Sequence, residues 1–121
     1  MTFAIDMDGT LIKITPGYKP PYTFMPGARE AVRALKAAGH RIIIHSCRSN
    51  PGVGGRQREL AKWMVDFLDA EGVPYDEIWD KPGKPVADHY IDDRSIAYDV
   101  YGQTGMTWKW IADNYGEHGS G

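Results

Sequence analysis

The chain has 121 residues, with 14 Lys and Arg against 16 Asp and Glu, a net charge of -2 and a pI near 6.0. That balance offers no general polyanion-binding surface, and 42% hydrophobic with 25% charged residues is ordinary for a soluble globular protein. No apolar stretch reaches membrane-span length, and Asp6 arrives too soon for a secretion signal. The single Cys47 can form no internal disulfide, which agrees with a reducing, cytoplasmic location. A chain of this length suits one domain spanning residues 1–121 and burying about two thirds of its unfolded surface.

Thr2 to Ile5 reads as a first strand. It opens the run Phe3-Ala4-Ile5-Asp6-Met7-Asp8-Gly9-Thr10-Leu11, which ends in two aspartates spaced i, i+2 and a glycine turn. Residues two apart on a strand project to one side, so Asp6 and Asp8 are expected to point together. Two carboxylates held that close repel unless a cation or a reaction uses them. An ordinary Asp-Gly turn explains Asp8-Gly9 but not the acid at Asp6.

Residues 11–25 are rich in Pro, Gly and aromatics (Pro16, Gly17, Tyr18, Pro20, Pro21, Tyr22, Phe24), which predicts a hairpin-like flap. Pro26 starts a first helix with Ala28, Val32 and Leu35 on one face, and Gly39 ends it. Arg41 to His45 is a second strand running into Ser46. A loop over Ser49–Gly55 precedes a second helix from about Arg56 to Ala70, whose Leu60, Trp63, Met64, Phe67 and Leu68 form an apolar stripe closed by Gly72. Tyr75–Trp79 is a weak third strand and Val86–Ile91 a fourth. Trp108–Tyr115 reads as a last helix, Trp108 in the core and Trp110 on its surface, followed by a frayed tail at 116–121. Alternating strands and helices point to a parallel sheet with helices on both faces.

Four elements in this order resemble the haloacid dehalogenase-like (HAD) hydrolase superfamily: Asp6-Met7-Asp8-Gly9-Thr10 after the first strand, Ser46 after the second, a lysine among Asp80-Lys81-Pro82-Gly83-Lys84-Pro85, and Asp92-Asp93 after the last strand. The resemblance spans Phe3 to about Ile96. It implies a Rossmann-like three-layer αβα sandwich with a mainly parallel sheet. The gaps between motifs hold no extra cap domain, so the expected site is open unless the flap or a second subunit covers it. A homo-oligomer would supply such a cover.

By that resemblance Asp6 is a nucleophile that forms an aspartyl phosphate, and Asp8 is the acid and base that serves the leaving oxygen and then the attacking water. Ser46, with the N–H groups after it from Cys47 on, is expected to hold the phosphoryl oxygens. The lysine neutralises charge; Lys84 is favoured and Lys81 is the alternative. Asp6, the Asp8 carbonyl, Asp92 and Asp93 are the expected Mg²⁺ ligands. Retention of Asp8 argues for phosphoryl transfer over dehalogenation. The implied activity is hydrolysis of a small phosphomonoester.

Other readings are weaker. A cysteine phosphatase loop needs an arginine six residues after Cys47, where Val53 stands. Gly52–Gly55 matches neither a P-loop nor a dinucleotide loop. His40, His45 and His89 lack metal-ligand spacing with one another. Arg48 and Arg94 each follow a motif and suit either a substrate's second anionic group or a surface ion pair. A nucleic-acid 3′-end phosphatase fits an open site, but the acidic net charge weighs against it. A phospho-accepting receiver needs an aspartate where Ser46 stands. A degenerate member that binds a phosphorylated ligand without turnover is disfavoured by intact Asp6, Asp8 and Asp92.

Overall fold

Apolar runs of two to four residues pair side by side in the computed structural model, which describes residues 1–46, 48, 57–81, 83–92 and 107–116. Strands β1 (Thr2–Ile5), β2 (Arg41–Ile44), β3 (Glu77–Ile78) and β4 (His89–Ile91) form one sheet in the order β3-β2-β1-β4. Every pairing is parallel, with Ile5 opposite Ile44 on one side and Ile91 on the other. Helices α1 (Ala28–Ala37) and α2 (Gln57–Ala70) join β1 to β2 and β2 to β3. Both connections step in the same direction across the sheet, so right-handed crossovers place both helices on one face. Arg29 pairs with Glu71 at 2.9 Å, and Arg33 donates to the carbonyls of Glu71 and Gly72, tying α1 to the end of α2.

The pleat sends Phe3, Ile5, Ile42, Ile44 and Ile91 into one core with Val32 and Leu35 of α1 and Met64 and Leu68 of α2. Helix α3 (Trp108–Tyr115) adds Trp108, Ile111 and Ala112 to the same core. Its Thr107 cap accepts the Trp110 N–H at 3.0 Å. Just past α3, a Cβ on Gly116 would lie 2.7 Å from the Ala34 Cβ, so only glycine lets α3 end this close to α1. On the opposite pleat Ala4 and Ile43 are also buried, which leaves both faces of the sheet shielded. Each fully buried Leu or Ile contributes about 1.5–3 kcal/mol through apolar area removed from water.

Residues 11–25, the segment expected to form a flap, fold back on themselves through isolated bridges. Ile12 pairs antiparallel with Phe24, Lys13 N–H donates to Thr23, and Met25 N–H donates to Leu11. It rests on α2 through Tyr22 and Phe24, whose rings lie 5.3 and 4.9 Å from that of Phe67. Among the described residues nothing larger is inserted between β1 and α1.

Boundaries differ in detail. The third and fourth strands are shorter than the apolar runs that announce them, although Asp76 and Trp79 still donate to Ile42 and Ile44 beyond the β3 ladder. Val86, expected inside the last strand, is 92% exposed, and among the described residues no strand pairs with it. The second helix begins at Gln57. The Ser49–Gly55 loop, Cys47, Asp93, Arg94 and the tail beyond Gly116 lie outside the described residues. No helix among the described residues is long and apolar enough to cross a membrane.

Candidate active site

Parallel pairing brings the C-terminal ends of β2, β1 and β4 to one edge. Since Ile5 is level with Ile44 and Ile91, the residues that follow are neighbours: Asp6, His45 and Asp92. The backbone continues the ladder there, with Asp6 N–H donating to Ile91 at 2.9 Å and His45 N–H donating to Ile5 at 2.8 Å. Ser46 follows, almost wholly buried, and its Oγ accepts the Arg48 N–H at 3.1 Å. This is the carboxyl edge of an open α/β sheet, where ligands bind.

The turn after Asp6 is held from both sides. Met7 is buried in the core, and its carbonyl accepts the Leu11 N–H at 3.0 Å and the Ile12 N–H at 3.2 Å. Gly9 has φ +80° and donates to the Ile12 carbonyl at 2.8 Å, a conformation that favours glycine in the turn. Trp108 of α3 donates its indole N–H to the Thr10 carbonyl at 2.9 Å. Asp6 and Asp8 thus flank a fixed backbone.

Asp8 has a partner that the sequence did not announce. Arg48 is 0% exposed, and its Nε and Nη2 each donate to one Asp8 oxygen at 2.8 Å. Its Nη1 donates to the Tyr22 hydroxyl at 2.9 Å and to the Leu60 carbonyl at 3.2 Å. Burial opposes the charge on Arg48, but hydrogen bonds to Asp8 and Tyr22 outweigh it and raise its pKa above the usual arginine value. The expectation of a surface ion pair is therefore corrected, because the guanidinium has no exposed area. Nε and both Nη atoms of Arg48 are held by protein partners. Losing one member of such a buried pair costs about 3–5 kcal/mol.

The two lysines part company. Lys81 Nζ lies 3.4 Å from Glu77 and 4.8 Å from the Trp79 ring centre, beside β3. Lys84 lies against Tyr90, 5.7 Å from its ring centre, and is close enough to His45 to act on its charge. Burial first, and Lys84 second, lower the His45 pKa. The loop that carries Lys84 is pinned by Trp79 Nε1 donating to Gly83 and the Tyr90 hydroxyl donating to Pro85.

Among the described residues no three His, Cys, Asp or Glu side chains gather as a metal-holding group. The Asp8 carboxylate is turned to Arg48, and Asp93 lies outside the described residues. The register sets Asp6 and Asp92 at adjacent strand ends, with Asp8 two residues past Asp6. Aspartate oxygens are hard donors of the kind that fits Mg²⁺, which keeps several positions for water and phosphate.

The parallel β3-β2-β1-β4 sheet with its helices is an α/β, Rossmann-like architecture. No protein-family model matches the chain. Over 88 residues it is 30% identical to the D-glycero-beta-D-manno-heptose-1,7-bisphosphate 7-phosphatase of Rhodopseudomonas palustris, covering 69% of this chain and 46% of that protein. The chain thus spans about half the length of the curated relative it matches. A solved structure of a conserved protein from Bacteroides thetaiotaomicron superposes with a TM-score of 0.62 at 27% identity, covering 93% of this chain and 87% of that one.

Proposed function

We propose that the chain is a Mg²⁺-dependent phosphatase that hydrolyses a phosphomonoester through an aspartyl phosphate on Asp6. The observation that carries this is the register of the sheet, which sets Asp6 beside Asp92, with Ser46 a residue further along the neighbouring strand. Likeness to a named phosphatase agrees with it.

In the first step an Asp6 oxygen attacks phosphorus and the bond to the leaving oxygen breaks, with Asp8 giving that oxygen a proton. In the second, Asp8 takes a proton from water as the water oxygen attacks phosphorus, and the bond to Asp6 breaks to release phosphate. Ser46 is set to donate to a phosphoryl oxygen, and Lys84 to neutralise its charge. Mg²⁺ held by Asp6, Asp92 and the Asp8 carbonyl would supply charge neutralisation on the phosphoryl group. Because the chemistry is mostly positioning and electrostatics, a rigid strand-end scaffold suits it. The single cysteine fits a cytoplasmic setting for this activity.

Phosphate release from an aryl phosphate, sugar phosphates, nucleotides and 3′-phosphorylated oligonucleotides, with Mg²⁺ and with chelator, tests the reading. Sugar phosphates come first because the named relative acts on a heptose bisphosphate. Metal-dependent release by wild type that disappears in Asp6→Asn is expected. No release from any of them would favour phospho-ligand binding without turnover.

A further inference from the structure

Arg48 is a completely buried charge that the hydrolytic scheme leaves unused. Its contacts join three parts of the molecule. Nε and Nη2 grip both oxygens of Asp8, Nη1 donates to the Leu60 carbonyl on α2, and the same Nη1 donates to Tyr22 of the flap. The Tyr22 hydroxyl in turn donates to the Tyr18 carbonyl at 2.6 Å, so its direction is fixed within the flap. The guanidinium carbon also lies 4.9 Å from the centre of the Tyr22 ring and 5.6 Å from that of Tyr18.

A planar guanidinium fork fixes the plane of the carboxylate it holds, which a lysine ammonium does not. Each Asp8 oxygen that accepts one bond from Arg48 still has a lone pair for a proton. The pairing therefore leaves Asp8 able to give and take a proton while setting the direction in which it does so. Phe67 packs on both Tyr22 and Phe24, so the flap end of the chain of contacts is seated on α2 as well.

We infer that Arg48, gripped by Tyr22 of the flap, is the positioning residue that aims Asp8 at the leaving-group oxygen, so that flap and acid–base group act as one unit. The inference rests on the phosphatase reading and adds to it a role for two residues outside the reacting set. Its signature is sensitivity to the leaving group. An ester whose alcohol departs as a stable anion has little need of a proton from Asp8, whereas phenol departs poorly without one.

The test compares phenyl phosphate with 4-nitrophenyl phosphate for wild type, Tyr22→Phe, Arg48→Lys and Arg48→Ala. In Arg48→Ala, kcat/KM, which reports the steps up to formation of the aspartyl phosphate and not its hydrolysis, should fall about 100-fold on phenyl phosphate and only a few-fold on the nitrophenyl ester, since general acid catalysis contributes about 10²–10⁴. Added guanidinium should recover part of the phenyl phosphate rate. Arg48→Lys should show the same selective loss, because it keeps the charge and loses the fork. Tyr22→Phe, which removes one hydroxyl and keeps the ring packing, should shift the ratio in the same direction by about 3- to 10-fold with KM nearly constant. Should Arg48→Ala not fold, Tyr22→Phe and Arg48→Lys carry the test. Equal losses of kcat/KM on both esters, or an unchanged ratio of the two, in active enzymes would overturn the inference alone. A wild type that hydrolyses neither ester nor any other phosphomonoester would defeat the phosphatase reading, and this inference with it.

Discussion

The two ends of the sheet both carry aspartates, and they use them in opposite ways. At the N-terminal edge Asp88 accepts the Thr2 N–H at 2.6 Å, and Asp76 accepts the Ile42 N–H at 2.7 Å while holding Lys36 at 2.6 Å. These carboxylates satisfy backbone donors near strand starts, and structure alone explains them. At the C-terminal edge the strand N–H groups of Asp6 and His45 are already taken by Ile91 and Ile5, yet Asp6 and Asp92 stand side by side. Asp8 there needs a buried arginine to balance it. The two flank β4: Asp88 stands just before it and satisfies the Thr2 N–H, whereas Asp92 follows its C-terminal end.

If that contrast is right, substitutions at one edge should silence activity and spare stability, and those at the other should do the reverse. Asp6→Asn should abolish phosphate release with an unchanged thermal melt; retained turnover would break the contrast outright. Next in size, Lys84→Ala should lower kcat by about 100-fold, the cost typical of removing a group that stabilises transition-state charge. Lys81→Ala should leave turnover within about twofold, because its exposed contacts are worth little. The reverse ranking would move the motif lysine to Lys81.

Smaller effects belong to the other edge. Asp76→Asn should lower stability by about 1–2 kcal/mol in urea unfolding without changing turnover. The Lys36 hydrogen bond first, and the Ile42 N–H second, hold the Asp76 carboxyl below the ordinary range. Its contribution is thus complete above the unfolded value of about 3.9 and fades as pH falls through the lower folded value. Wild type and Asp76→Asn melts should converge below about pH 4, and a constant gap would contradict this origin. Asp88→Asn should be milder still, about 1 kcal/mol, read the same way.

Much of this was legible in the chain. The first strand and the last helix fall on Thr2–Ile5 and Trp108–Tyr115, where apolar runs and helical spacing coincide with local propensity. Strand-end acids and Ser46 could be placed because each follows an apolar run directly. The β3 and β4 ladders were overestimated because extended backbone and paired strand look alike in sequence, as Val86 illustrates. The pairing of Arg48 with Asp8 was missed since its partner lies 40 residues away. Two signals could have found it: an acid pair short of a counter-charge, and a segment offering two tyrosine rings.

The most direct test of the central claim is acid quench of the working enzyme followed by peptide mass spectrometry for a covalent phosphoryl group. A phosphoryl adduct on the peptide carrying Asp6, forming and decaying at the rate of turnover, is the predicted result. Turnover with no adduct, or with the adduct on another side chain, would contradict the assignment of Asp6 as nucleophile.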